Sequence, residues 1–144
     1  MKPAPLLRVA SVLSSLLAAG HTLGARKGWS PWGETDALRA MRSQPMEIAG
    51  VRRTFFDFYL GFGFTISVYL LLQAVLLWLL ADLARTEPSR ARPFVAAIFA
   101  ASLASTLVAC QFIFAVPAVS SGAITLALAA ALWTLRGSRA VTGG

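Results

Sequence analysis

The fold of this chain is decided by the stretch FFDFYLGFGFTISVYLLLQAVLLWLLADLA, which runs from Phe55 to Ala84. It is apolar over almost its whole length, and a helix needs about 20 such residues to cross the roughly 30 Å hydrocarbon core of a bilayer. At about 1.5 Å rise per residue the stretch would form a helix near 45 Å long, which must tilt or project beyond the lipid. We therefore interpret it as a membrane-spanning helix.

Three further apolar stretches have spanning length, at residues 6–24, 93–116 and 117–135. Of the 144 residues, 57% are hydrophobic and 13% are charged, whereas about a quarter are charged in an average soluble domain. We predict an all-α polytopic membrane protein with a single transmembrane domain, residues 1–144. Its four helices form an antiparallel bundle, and one long extramembrane loop, residues 25–54, connects the first span to the second.

The basic residues flank these apolar stretches. The chain has 13 Lys and Arg against 6 Asp and Glu, for a net charge of +7. Cations at the ends of spans bind lipid phosphates, so membrane lipids are the expected partners and nucleic-acid binding is not predicted. The basic residues are divided almost equally between the two sides of the membrane. The acidic residues of the first loop and the length of that loop favour placing it outside, with both termini in the cytoplasm.

A single cysteine and a single histidine limit the chemistry. One cysteine excludes an intrachain disulfide and the CxxC chemistry of four-span thiol oxidoreductases. One histidine supplies too few ligands for a zinc cluster, and no metal or organic cofactor is predicted.

Polar side chains inside spans are costly and often mark a site. Antiparallel spans would bring several of them to the end of the bundle that lies beneath the first loop. We predict that His21 and Asp57 form one coupled acid–base pair there, with Glu47 as a second carboxylate. The predicted ligand-binding residues are Trp29 and Trp32, as a lid in the first loop, and Tyr59, Phe62 and Gln111.

Each of these residues also has a simpler interpretation. His21 would then hydrogen-bond a backbone carbonyl or a neighbouring serine. Asp57 would pair with Arg53 one helical turn earlier. Trp29 and Trp32 would lie in the interfacial aromatic belt.

Two classes of function follow. In the first, the bundle binds an apolar or lipid-like molecule, terpenoid or sterol-like, and an acid and a base drive its isomerisation or cyclisation. In the second, it is a non-catalytic structural or accessory subunit that forms homo- or hetero-oligomers through faces of small residues. Such faces are predicted on the third and fourth spans: Ser102, Ser105, Thr106 and Ala109, and Ala123, Ala127 and Ala131. A pore is a weaker third class, because the spans offer no ring of charge.

Three short stretches carry a resemblance to known proteins: GHTLGA (20–25), GWSPWG (28–33) and DFYLGFG (57–63). They resemble an uncharacterised family of small four-span bacterial integral membrane proteins, which implies a location in the bacterial inner membrane. The layout is more loosely similar to DoxX-like proteins and to the emopamil-binding group of sterol isomerases, in which polar residues meet in an intramembrane pocket. The acid and base residues of those isomerases do not align with this chain.

Overall fold

The computed structural model describes residues 2–26 and 33–137. In chain order the elements are α1 (Pro3–Arg26), α2 (Asp36–Ser43), β1 (Pro45–Ile48), β2 (Val51–Thr54), α3 (Phe55–Thr86), α4 (Pro88–Phe112) and α5 (Ala115–Gly137). Helices α1, α3, α4 and α5 are long and apolar enough to cross a membrane. The predicted fold class, an all-α membrane protein with four spanning helices, is confirmed.

The described residues form two compact units. The first unit contains the residues up to Leu17 and those from Leu70 onward, and the second unit contains Ala18 to Tyr69. In the first unit all four long helices contribute to one buried core. Leu7 of α1, Leu77 of α3 and Leu128 of α5 are fully buried in it, and α4 adds Val95. Alanines recur among the other core residues, and small side chains let membrane helices approach closely.

Large apolar side chains point away from this core. Phe112 is 77% exposed, Leu126 72% and Trp133 74%. Water-soluble monomers rarely expose contiguous apolar surface of this kind, whereas lipid is as apolar as these side chains. The small side chains in the interior and the large apolar side chains on the exterior together indicate that the long helices face lipid.

Two helices begin earlier than their prolines predicted. α4 begins at Pro88 rather than at Pro93, and α5 begins at Ala115 rather than at Pro117. Pro88 occupies the first turn of its helix. A proline there loses no hydrogen bond, because the backbone N–H groups of the first turn have no acceptor within the helix. Pro93 removes only a single backbone bond near the helix start, so α4 continues through it.

The described part of the predicted loop is folded, which the sequence had not indicated. Thr35 caps α2 by accepting a hydrogen bond from the backbone N–H of Leu38 at 3.2 Å. Strands β1 and β2 then form an antiparallel hairpin in the register Pro45–Thr54 to Ile48–Val51. Its turn is formed by Ala49 and Gly50, which have φ angles of 52° and 78°.

The second unit also holds α2 close to the start of α3. Arg42 of α2 lies over the ring of Phe56, with 4.7 Å between the guanidinium carbon and the ring centroid, and it forms an ion pair with Glu34. A guanidinium over an aromatic face is stabilised by the ring quadrupole. This contact attaches the short helix to the chain end of α3 that carries Asp57.

Candidate functional site

His21 lies on α1 in the second unit and is half-buried. Its Nδ1 is 3.1 Å from Oγ of Ser67 on α3, and the two groups form a hydrogen bond. Ser67 is itself buried, at 5% exposed. The simpler interpretation of this residue included a bond to a neighbouring serine, and that bond is present between the two helices.

Asp57 lies at the start of α3 and closes a reciprocal capping contact with Thr54. Its Oδ2 accepts hydrogen bonds from the backbone N–H of Thr54 at 2.8 Å and from the Thr54 hydroxyl at 2.9 Å. In return, Oγ1 of Thr54 accepts from the backbone N–H of Asp57 at 3.1 Å. A Thr followed three residues later by an acidic residue is the capping-box pattern, which satisfies N–H groups at a helix start.

The predicted pair of His21 and Asp57 is therefore not brought together. The partner of His21, Ser67, lies almost three helical turns beyond Asp57 on α3, a distance of roughly 15 Å along the axis. Asp57 is exposed and engaged by Thr54. Arg53, the simpler candidate for its partner, donates instead to the backbone carbonyl of Arg52 at 2.9 Å.

Glu47 lies on the hairpin that precedes α3. It is exposed on β1, and its cross-strand neighbour in the hairpin is Arg52. Opposite charges at such positions support a hairpin modestly. This carboxylate belongs to the surface of the hairpin, and its predicted role as a second acid stays a prediction.

The predicted aromatic ligand-binding residues are exposed along α3. The ring centroid of Tyr59 is 6.4 Å from that of Phe56, and Phe62 packs edge to face on Phe58 with 5.8 Å between centroids. Gln111 is exposed near the end of α4, in the first unit. Trp29 and Trp32 lie outside the described residues, so their predicted role as a lid stays a prediction.

A groove of about 350 Å³ follows the first turns of α3, and we call it the α3 groove. It is lined by Arg53, Asp57, Phe58, Gly61, Phe62 and Thr65. Charged groups lie at one end and aromatic rings along its wall. Its floor is open at Gly61, where an added Cβ would meet nothing within 4 Å.

Polar contacts in the first unit join α1 to α3, and the sequence reasoning missed them. Nε2 of Gln73 donates to Oγ of Ser14 at 2.9 Å, and Oγ of Ser11 donates to the backbone carbonyl of Ala74 at 2.7 Å. The signal was present as serines on one stripe of the first span and a lone glutamine in the second. Hydrogen bonds of this kind associate helices within membranes.

A charged contact joins the same two helices farther along. Nη2 of Arg8 donates a hydrogen bond to Oδ1 of Asp82 at 3.0 Å. The guanidinium carbon of Arg8 also lies 5.1 Å from the ring centroid of Trp78. From Arg8 to Ser14 along α1, the partners run backward along α3 from Asp82 to Gln73. This order is the one that antiparallel helices require, as predicted for neighbouring spans.

Helices α4 and α5 are joined by hydroxyl groups. Oγ1 of Thr125 is 3.0 Å from both Oγ of Ser102 and Oγ1 of Thr106. The Thr125 hydroxyl also donates to the carbonyl of Ser121 at 2.9 Å. Ser102, Thr106 and Ala109 thus lie on the buried side of the predicted small-residue face, whereas Ser105 is exposed.

Residues 2–26 and 33–137 offer no group of three or more His, Cys, Asp and Glu side chains placed to hold a metal ion. No family model, curated protein or solved structure matches the chain.

Proposed function

We propose that the protein is a non-catalytic membrane protein that binds a lipid-like molecule in the α3 groove. The observation that carries this proposal is the amphipathic lining of that groove. Arg53 offers donors to a polar end group, while Phe58 and Phe62 offer flat apolar contacts to a hydrocarbon or ring system. Ligand pockets commonly combine a mostly apolar wall with a few polar groups that set orientation.

Binding without chemistry is favoured because the predicted acid and base groups serve local structure. Proton transfer needs both groups within hydrogen-bond reach of one molecule. Asp57 is held by Thr54, and His21 bonds to Ser67 well along the helix. An isomerase or cyclase mechanism would need these two side chains to leave their partners and to meet.

Additivity tests the non-catalytic part of the proposal. We expect the losses in unfolding free energy caused by His21→Ala and Asp57→Asn to add within about 0.5 kcal/mol, because the two groups share no partner. Thermal unfolding of the single and double variants in detergent measures this. A coupling energy above about 1 kcal/mol would restore the acid–base pair.

Gly61 provides the direct test of binding. Because its Cβ position is open, Gly61→Leu fills the α3 groove without displacing the backbone. Gly20→Leu on α1 is the matched control, since its Cβ position is equally open and it does not line the groove. Native mass spectrometry of the purified chain should find a co-purified lipid-like molecule in wild type and Gly20→Leu, and its loss in Gly61→Leu. Equal retention of every co-purified molecule by all three proteins would overturn the proposal, whereas a phospholipid that Gly61→Leu retains while it loses another molecule would belong to a different site.

The membrane and orientation belong to the same proposal. We place the chain in the bacterial inner membrane with both termini in the cytoplasm. Five cations lie at the start of α1, the end of α3 and the start of α4, namely Lys2, Arg8, Arg85, Arg90 and Arg92, and six lie between residues 26 and 53. Because this division is nearly equal, the orientation is supported by the acidic residues and the length of the segment between α1 and α3, which favour placing that segment outside. Labelling of single cysteines in a Cys110→Ser background tests it, and reagent access to a cysteine at Lys2 from the periplasm would contradict it.

An accessory subunit is the second candidate function, and one face of α4 favours it. Ala97, Ala101 and Ser105 follow one another at four-residue spacing and are all exposed. Small residues at this spacing allow another membrane helix to approach closely. Ala101→Cys in a Cys110→Ser background should then form oxidative cross-links, and Leu103→Cys, exposed on the other side of α4, should not. Equal cross-linking at both positions would remove this candidate.

A further inference from the structure

A second groove lies in the first unit, at the start of α1 and the turn from α3 to α4, and we call it the N-terminal groove. It encloses about 570 Å³. Its lining combines three cationic side chains, Lys2, Arg8 and Arg85, with the apolar residues Pro3, Ala4, Pro5, Ala84 and Pro88. We propose that the N-terminal groove binds an anionic phospholipid, with the phosphate against the cations and the glycerol and acyl portion along the prolines and alanines.

The charges around the groove leave an excess of positive charge. Asp82 is shared by two guanidinium groups, with Oδ1 3.0 Å from Nη2 of Arg8 and 3.8 Å from Nη1 of Arg85. The next carboxylate, Glu87, is 2.8 Å from Nη1 of Arg90 and so is already paired. Asp82 therefore pairs with two of the three lining cations, and an anion in the groove would neutralise the remaining positive charge.

One nitrogen atom of Arg8 also lacks a partner. Its Nε is buried and has no hydrogen-bond partner in the described part of the chain. A guanidinium donor that is removed from water without a partner is destabilising, more so for a charged group. Nη2 donates to Asp82 and the guanidinium lies over the ring of Trp78, so Arg8 is held in place beside the groove while its Nε lacks a hydrogen-bond partner.

The apolar part of the lining identifies a lipid rather than a free phosphate as the occupant. A free phosphate would contact the cations and leave the proline and alanine surface uncovered. A phospholipid covers both, because its phosphate and its hydrocarbon are joined in one molecule. Lys and Arg near the membrane surface attract anionic lipids with a strength equivalent to roughly fivefold in affinity for each cation.

The test uses the full chain in uncharged detergent, with native mass spectrometry during titration with phosphatidylglycerol and with phosphatidylcholine of the same acyl chains. The site variant Lys2→Gln/Arg85→Gln removes two lining cations and keeps Arg8 with Asp82. The matched control Arg92→Gln/Arg136→Gln removes the same net charge from the start of α4 and the end of α5, outside the lining, and leaves the pair of Arg90 with Glu87 intact. We expect wild type to prefer phosphatidylglycerol, the site variant to bind it about 25-fold more weakly, and the control to keep most of the affinity.

Three results would overturn the proposal. Equal loss in the control would mean that diffuse charge, not the groove, attracts the lipid. Equal binding of the two lipids would remove the role of the anionic headgroup. Displacement of phosphatidylglycerol by millimolar inorganic phosphate would indicate a phosphate site. The inference is independent of the proposed function, because Gly61→Leu should leave phosphatidylglycerol binding intact.

Discussion

The hydroxyl cluster between α4 and α5 gives the sharpest test of how this bundle is held together. Thr125→Val keeps the branched shape of the side chain and removes the oxygen that Ser102 and Thr106 both approach at 3.0 Å. Ser102 is buried at 4% exposed, so its hydroxyl has no access to water as a replacement partner. The substitution therefore removes two contacts between helices without opening a cavity.

The expected loss follows from hydrogen bonds measured in other membrane proteins. Each bond between helices contributes about 0.6 kcal/mol on average and at most about 1.7 kcal/mol. One or two such bonds predict that Thr125→Val lowers the free energy of unfolding by about 0.6 to 1.2 kcal/mol, with a ceiling near 3 kcal/mol. The number is one or two because the single hydroxyl hydrogen of Thr106 can be donated to Thr125 or to the carbonyl of Ser102, which is 2.9 Å away. The bond to the Ser121 carbonyl adds little, because that bond lies within one helix.

Thr134→Val is the matched control on the same helix. Among residues 2–26 and 33–137, its hydroxyl donates only to the carbonyl of Ala131, at 2.7 Å within α5. Reversible unfolding in mixed detergent micelles should show a loss below about 0.5 kcal/mol for this variant. A double-mutant cycle of Ser102→Ala with Thr125→Val should give a coupling energy above about 0.5 kcal/mol. Additive effects, or equal losses at Thr125 and Thr134, would refute the reasoning.

Three further substitutions test contacts elsewhere. Thr54→Val removes the hydroxyl that bonds Asp57 and should lower the unfolding free energy by about 1 kcal/mol in the same assay; unchanged stability would exclude a capping role. Gln73→Leu removes the donor to Ser14 and should lower it by about 0.6 kcal/mol; a loss far above 2 kcal/mol would mean that a larger network depends on the glutamine. Gly50→Ala places a Cβ at φ 78° and should destabilise the hairpin by about 1 kcal/mol, so that its amide protons exchange faster; unchanged exchange would contradict the turn geometry.

The four spanning helices could be predicted because long apolar stretches leave few alternatives for a backbone in lipid. The hairpin could not. Its strands have four residues each, and Ala49 in its turn adopts a φ of 52°, which alanine rarely does. The usual hairpin signal is Asn-Gly or Asp-Gly, in which both residues tolerate positive φ. Here only Gly50 carries that signal.

The candidate site was predicted less well, for two different reasons. The sequence Thr54-Phe-Phe-Asp57 contains the capping-box signal, so the local role of Asp57 could have been recognised. The contact of Arg8 with Asp82 joins residues from distant parts of the chain, and no spacing rule predicts it. In the sequence, Arg8 and Asp82 are two charges at the ends of different spans, and only the packing of α1 on α3 pairs them.

The two grooves differ in how fully their charges are satisfied, and this difference predicts which property of a ligand each groove selects. Asp57 borders the α3 groove with two hydrogen bonds from Thr54, so a ligand there need not neutralise it. The N-terminal groove has cations that share Asp82, and one guanidinium nitrogen of Arg8 is buried without a partner in the part of the chain that the structure describes. Local rules of polar satisfaction tend to be broken where a protein binds something. By that reasoning a ligand of the α3 groove is chosen mainly by shape and apolar contact, and a ligand of the N-terminal groove by its charge.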